Sequence, residues 1–81
     1  MRIDKYLKNS RLIKRRTIAK EACDQGRILL NDNPAKAGSI VKVNDIISMD
    51  FSSRVIKVKV LELKEHVTKD DAKEMFEVIE G

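Results

Sequence analysis

Ile13 to Asn31 reads IKRRTIAKEACDQGRILLN, and within it the chain changes from a helical repeat to a strand. On a helical wheel starting at Arg16, the residues Ile18, Ala19, Ala22 and Cys23 fall between about 200° and 340°, one apolar flank. The spacing predicts a helix over Lys14 to Gln25, with Gly26 standing where a helix stop belongs. Arg16 and Lys20 fall at roughly 0° and 40°, directly beside that flank. Lys14 and Arg15 then occupy the first turn, where the helix dipole disfavours cations. A phosphate bound there would gain from both the dipole and the added cations.

Upstream, Ile3, Tyr6 and Leu7 recur at helical spacing and predict a short helix over residues 3–9. Downstream the period becomes that of strands. ILLN and PAKA flank Asp32-Asn33 and read as a tight hairpin, with Pro34 at a strand start or edge. DIISMDF (45–51) and RVIKVKVLEL (54–63) flank Ser52-Ser53, and Ile56, Val58 and Val60 share one face of the second run. In the tail, Thr68 is an N-cap candidate, Asp70 and Asp71 suit a first turn, and Ala72, Met75, Phe76 and Ile79 trace a helical stripe. That stripe either docks on the chain's own sheet or waits for a partner. The expected fold is α+β: two N-terminal helices packed on a small, mostly antiparallel sheet over residues 1–63, then a connection and a C-terminal amphipathic helix over 64–81.

The 81 residues make one domain, in which roughly 60–65% of the unfolded surface can be buried. The core is therefore thin and leaves no room for a large enclosed active site. The single Cys23 has no disulfide partner and no metal-ligand spacing around it, which fits a reducing compartment. The opening residues lack the basic-then-apolar order of a secretion signal, and no apolar run approaches the ~20 residues of a membrane span. The expectation is a cytoplasmic protein without a membrane partner. Net charge is +4 but segregated: nine Lys/Arg against three Asp/Glu in residues 1–27, five against three in 28–60, and three against seven in 61–81. A basic front and an acidic tail point to a polyanionic partner. With only Tyr6, Phe51 and Phe76 as aromatics, base stacking on an aromatic platform is not the expected mode.

Nothing assembles into catalytic machinery, because one Cys, one His and scattered acids do not supply nucleophile, base and orienting group together. Cys23 belongs to the apolar flank, and His66, between Glu65 and Val67, reads as solvent-facing. Asp70, Asp71 and Glu74 read as dipole partners of a helix start rather than metal ligands. Asp4 reads as a helix-start residue or a brace for arginines. No enzyme activity, metal or cofactor is expected.

MRIDKYL at the start, the Arg16-x-x-Ala19 pair, GRILLN at 26–31 and VKVNDII at 41–47 occur in an order and spacing that resembles the S-four RNA-binding domain, an alpha-L motif fold, across residues 1 to about 60. RIDKYLKNSRLIKRRTIAKEACDQGRI further resembles the small stand-alone bacterial members related to the fifteen-kilodalton heat-shock protein, among them the RqcP group of ribosome-associated quality-control factors. The resemblance implies structured RNA held through its phosphates by the two helices and the first strand loop. It also implies ribosomal RNA and tRNA as partners on a large ribosomal subunit with stalled peptidyl-tRNA, and a nascent-chain tailing factor as a companion there. Arg2, Arg16 and Lys20 match the family's cationic positions, and Asp4 matches an acid that braces neighbouring arginines. Asp32 and Asn44 stand where the family usually has turn glycines, and both residue types accept positive φ.

The candidate RNA-binding residues are Arg2, Lys5, Arg11, Lys14, Arg15, Arg16, Lys20, Arg27 and Asn31; Lys8 reads equally well as solvated. Two other readings compete. A helix-turn-helix DNA-binding regulator would need a recognition helix beyond a short turn, yet the candidate helix runs at once into a hairpin. A protein-interaction module would use the C-terminal helix and leave the basic cluster incidental.

Overall fold

The computed structural model describes residues 1–81. Its elements are α1 (Ile3–Asn9), α2 (Arg16–Asp24), β1 (Ile28–Leu30), β2 (Asn33–Pro34), β3 (Ile46–Asp50), β4 (Val55–Val60), α3 (Lys69–Lys73) and β5 (Phe76–Glu80). The strands form one antiparallel sheet in the order β2-β1-β3-β4-β5. Register puts Ile28 opposite Met49, Met49 opposite Ile56 and Ile47 opposite Val58, so these side chains share a face. With Ile3, Tyr6 and Leu7 of α1 and Ala19 and Cys23 of α2, Ile28, Ile47, Met49 and Val58 form one buried cluster, and Ile56 packs against it partly buried. Burying a side chain of the size of Leu7 or Ile47 contributes about 1.5–3 kcal/mol.

The helix ends follow from local chemistry. At the end of α2, Gly26 adopts φ 75°, its N–H donates to Cys23 O at 3.0 Å and the Arg27 N–H donates to Ala22 O at 2.9 Å. These are the paired bonds of a Schellman stop, which needs a left-handed residue at that point. Helix α1 ends at Ser10 and hands the left-handed position to Arg11, at φ 62°. Both turn substitutions adopt positive φ as expected, Asp32 at 69° and Asn44 at 78°.

The structure shifts four of the expectations. First, α2 begins at Arg16, so Lys14 and Arg15 precede the helix instead of filling its first turn. Second, Ile18 is 48% exposed although it lies on the apolar flank; a helix of nine residues beside a small sheet buries only the narrower stripe of Ala19 and Cys23. Third, the hairpin turn is Asn31-Asp32 rather than Asp32-Asn33, because Leu30 pairs with Asn33. Asn31 at φ 50° and Asp32 at φ 69° are the two positive-φ residues of a type I′ turn.

The fourth shift concerns the tail. Thr68 caps α3 in a full capping box with Asp71, but the helix ends at Lys73 and residues 76–80 become β5. The segment FEVIE satisfies two periods at once, and its cross-strand partners decide between them. Phe76 meets Val60 and Val78 meets Val58, while Glu77 faces Lys59 and Glu80 faces Lys57. Apolar pairs and opposite-charge pairs across a strand each contribute about 0.2–1 kcal/mol, and a helix would forgo all of them. The stripe itself docks internally: Ala72 and Met75 are buried, and the Tyr6 hydroxyl donates to Met75 O at 2.7 Å. Residues 64–81 thus complete the sheet that residues 1–63 begin, and no free amphipathic helix is left to serve as an interaction module.

Candidate nucleic-acid interface

The basic residues are organised around a buried acid. Asp4 is 3% exposed. Its Oδ1 accepts the Lys5 N–H at 2.8 Å and Arg16 Nη2 at 3.4 Å, and its Oδ2 lies 3.3 Å from Arg2 Nη2 and 3.3 Å from Arg16 Nε. One carboxylate on α1 therefore fixes an arginine just before α1 and another at the first residue of α2. Each guanidinium carries five N–H donors, and both side chains remain about half exposed, at 51% and 47%. The clasp thus spends part of each fork on Asp4 and presents the rest to solvent.

Local backbone geometry positions the clasp. The Ile3 N–H donates to Ser39 O at 2.8 Å, the Asp4 N–H to Ala37 O at 3.3 Å and the Val41 N–H to Met1 O at 2.8 Å. Residues 37–41 thereby wrap the start of α1 and hold Arg2 in extended backbone, bridged to Ile40. At α2, no side chain caps the N-terminus and no acid lies in the first turn. Its free N–H groups and positive dipole end are flanked by the exposed Lys14, Arg15 and Arg16, an arrangement suited to an anion. Lys20 is exposed one turn further along the same helix.

A second group lines a groove of about 560 Å³ between the α1–α2 loop and the connection leading to α3. Lys8, Asn9, Arg11 and Lys14 form one wall; Glu65, His66, Val67 and Thr68 form the other. The Asn9 side chain donates to Lys64 O at 3.0 Å and fastens the walls together. Lys5 forms an ion pair with Glu65, and a hydrogen bond from the Lys5 ammonium holds the Glu65 carboxyl below the usual carboxylate range.

The remaining candidates lie elsewhere. Lys5 is half-buried and committed to Glu65. Arg27 lines a smaller hollow of about 200 Å³ with Gly26, Leu29, Ser48, Asp50 and Val55. The Asn31 side chain is a fastener: Nδ2 donates to Asp45 Oδ1 at 3.1 Å, and Oδ1 accepts the Ile46 N–H at 2.9 Å. Sequence reasoning did not identify the groove wall at 65–68, since the ordering of that wall depends on Asn9 and Lys5, more than fifty residues away. Cys23 is buried, and burial, followed by the nearby Asp4 and Asp24 carboxylates, pushes its thiol up to about 11.

Comparison with known proteins agrees with this architecture. The S4 domain model matches residues 1–47. The chain is 51% identical over 78 residues to the RQC P-site tRNA stabilizing factor of Halalkalibacterium halodurans, covering 96% of this chain and 89% of that protein. It is likewise 51% identical over 79 residues to the protein of the same name in Bacillus subtilis, covering 98% and 92%. Among solved structures, the solution structure of hypothetical protein HP1423 superposes with a TM-score of 0.84 at 31% identity, covering 100% of this chain and 99% of that one. The trimeric structure of Vibrio cholerae Heat Shock Protein 15 shares the fold, with a TM-score of 0.88 at 19% identity over 96% of this chain and 80% of that one. With a domain match over more than half its length and curated relatives at half identity over nearly all of it, the chain belongs to the S4 domain family, in the group of RQC P-site tRNA stabilizing factors.

Proposed function

We propose that this protein is a non-enzymatic RNA-binding factor of the bacterial cytoplasm. In this reading it grips structured ribosomal RNA and P-site tRNA on a large ribosomal subunit that carries stalled peptidyl-tRNA, alongside a nascent-chain tailing factor. The relatives' name, which speaks of stabilizing P-site tRNA, supplies the ligand. The observation that carries the reading is the clasp of Arg2, Asp4 and Arg16: a buried carboxylate that holds two half-exposed guanidiniums in a fixed pose beside an uncapped helix start.

The mechanism is recognition of charge and shape. Phosphates on neighbouring strands engage the free N–H donors of Arg2 and Arg16, the cations Arg15 and Lys20, and Arg11 and Lys14 along the groove. Lys5, Arg27 and Asn31 are left out of this interface, since two of them are spent internally and Arg27 lines a separate hollow. Bidentate guanidinium–phosphate contacts suit arginines that are already oriented, because less side-chain freedom is lost on binding. If about five phosphates are neutralised, log K should fall against log salt with a slope of roughly −3.5 to −4.5 on RNA.

The test is a salt series of binding to tRNA and to ribosomal RNA fragments, with duplex DNA as competitor, and sedimentation of lysate to see whether the protein travels with free large subunits. A slope near zero, or DNA displacing RNA at equal concentration, overturns the reading.

A further inference from the structure

The groove between the α1–α2 loop and residues 64–68 holds more positive charge than the fold needs. Lys8, Arg11 and Lys14 line it, and none of the three has a carboxylate within salt-bridge distance; the one acid on the opposite wall, Glu65, is already occupied by Lys5 from outside the groove wall. Arg11 is placed there at the cost of a left-handed backbone, φ 62°, in a residue with a Cβ. The opposite wall brings His66, the only histidine in the chain, together with Val67 and Thr68. A cationic wall facing an imidazole and an isopropyl group is a pairing of phosphate-binding and base-stacking chemistry.

At about 560 Å³ the groove falls within the range of small-molecule sites. That is too small for a duplex and large enough for one nucleotide unit. Unpaired RNA bases are recognised by stacking on aromatic side chains, His among them, or on guanidinium planes. An already unpaired base costs least to extrude from its helix. Resting on the RNA-binding reading, we infer that this groove accepts one unpaired nucleotide of the bound RNA, its phosphate on Lys8, Arg11 and Lys14 and its base against His66 and Val67. The clasp of Arg2 and Arg16 then grips the backbone, and the groove selects where along a structured RNA the grip settles.

The experiment compares the full-length protein on two RNA hairpins that are identical except for a single-nucleotide bulge carrying 5-iodouridine. The bulged hairpin should bind about tenfold more tightly, within the range of one base stacked on a side chain, and irradiation should crosslink the bulge to the peptide containing residues 65–68. His66→Ala should abolish the preference while leaving affinity for the fully paired hairpin within about twofold, because the imidazole is exposed and buries nothing in the core. Arg11→Gly, which suits the left-handed backbone, should weaken the bulged complex more than the paired one. Equal affinity of the wild-type protein for both hairpins, or a preference that survives His66→Ala, overturns the inference while RNA binding itself stands. Failure to bind either hairpin overturns the RNA-binding reading and this inference with it.

Discussion

Arg16 Nε and Asp4 Oδ2 stand 3.3 Å apart where α1 meets α2, with the carboxylate buried and the guanidinium half exposed. A buried acid with two cationic partners gives opposite expectations under two views of the interface. If only net charge mattered, Asp4→Asn would raise the charge by one and tighten RNA binding. If orientation matters, the arginines lose their anchor and binding weakens. We expect a loss of about fivefold, roughly 1 kcal/mol, in filter-binding affinity. The same substitution should lower folding stability by about 1–3 kcal/mol in chemical denaturation, because the cations lose a buried partner. Tighter binding by Asp4→Asn would refute the clasp.

Arg16→Ala should reduce the salt slope of RNA binding by about 0.7–0.9, the value of one phosphate contact. Lys5→Ala should leave the slope unchanged, since that ammonium is already paired with Glu65. Side-by-side salt titrations of the two variants check both statements, and equal slopes would show that exposure and pairing do not distinguish these cations.

Tyr6 is fully buried, and burial raises its phenol well above the ordinary value of 10.0. The folded state therefore disfavours the phenolate. Its contribution to stability is whole below pH 10.0, the unfolded value, and is lost as pH climbs from there toward the folded value. With one tyrosine and no tryptophan in the chain, near-ultraviolet phenolate absorbance follows this group alone. It should rise together with loss of far-ultraviolet circular dichroism in alkali, not before it. Tyr6→Phe should cost about 0.5–1.5 kcal/mol, at the lower end, because Met75 O also accepts from Leu61 N–H at 2.8 Å and Glu62 N–H at 3.2 Å.

Removing residues 68–81 should abolish cooperative thermal unfolding rather than trim an appendage. The deletion strips β5 from β4 and takes Ala72 and Met75 out of the core. Met75→Ala alone should cost about 2–5 kcal/mol by denaturant titration. A truncated chain that melts cooperatively and still binds RNA would restore the view of the tail as a separable module.

The parts of this molecule legible in the sequence are those set by short-range periodicity. Helix α1 follows from Ile3, Tyr6 and Leu7; the stop of α2 follows from Gly26; the positive-φ turns follow from Asp32 and Asn44. The cap at Thr68 was equally visible in the local pattern. What escaped was set by partners far along the chain. FEVIE becomes a strand because Lys57, Val58, Lys59 and Val60 lie opposite it. The Asn31 side chain is fastened to Asp45 and Ile46, partners fourteen and fifteen residues further on, which local periodicity does not reveal. The same holds for the interface: the cations were countable, but only Asp4 beneath Arg2 and Arg16, and Asn9 tied to Lys64, show which of them share a place.

The bond from the Tyr6 hydroxyl to the Met75 carbonyl spans 69 positions. At roughly 5–20 residues per second, about 3 to 14 seconds separate the synthesis of its two ends. Met75 belongs to the same buried cluster as Ile3, Tyr6 and Leu7, so the enclosed interior cannot be complete before the C-terminal segment has been made. Each newly made copy can therefore close its core only after nearly the whole chain has been synthesised.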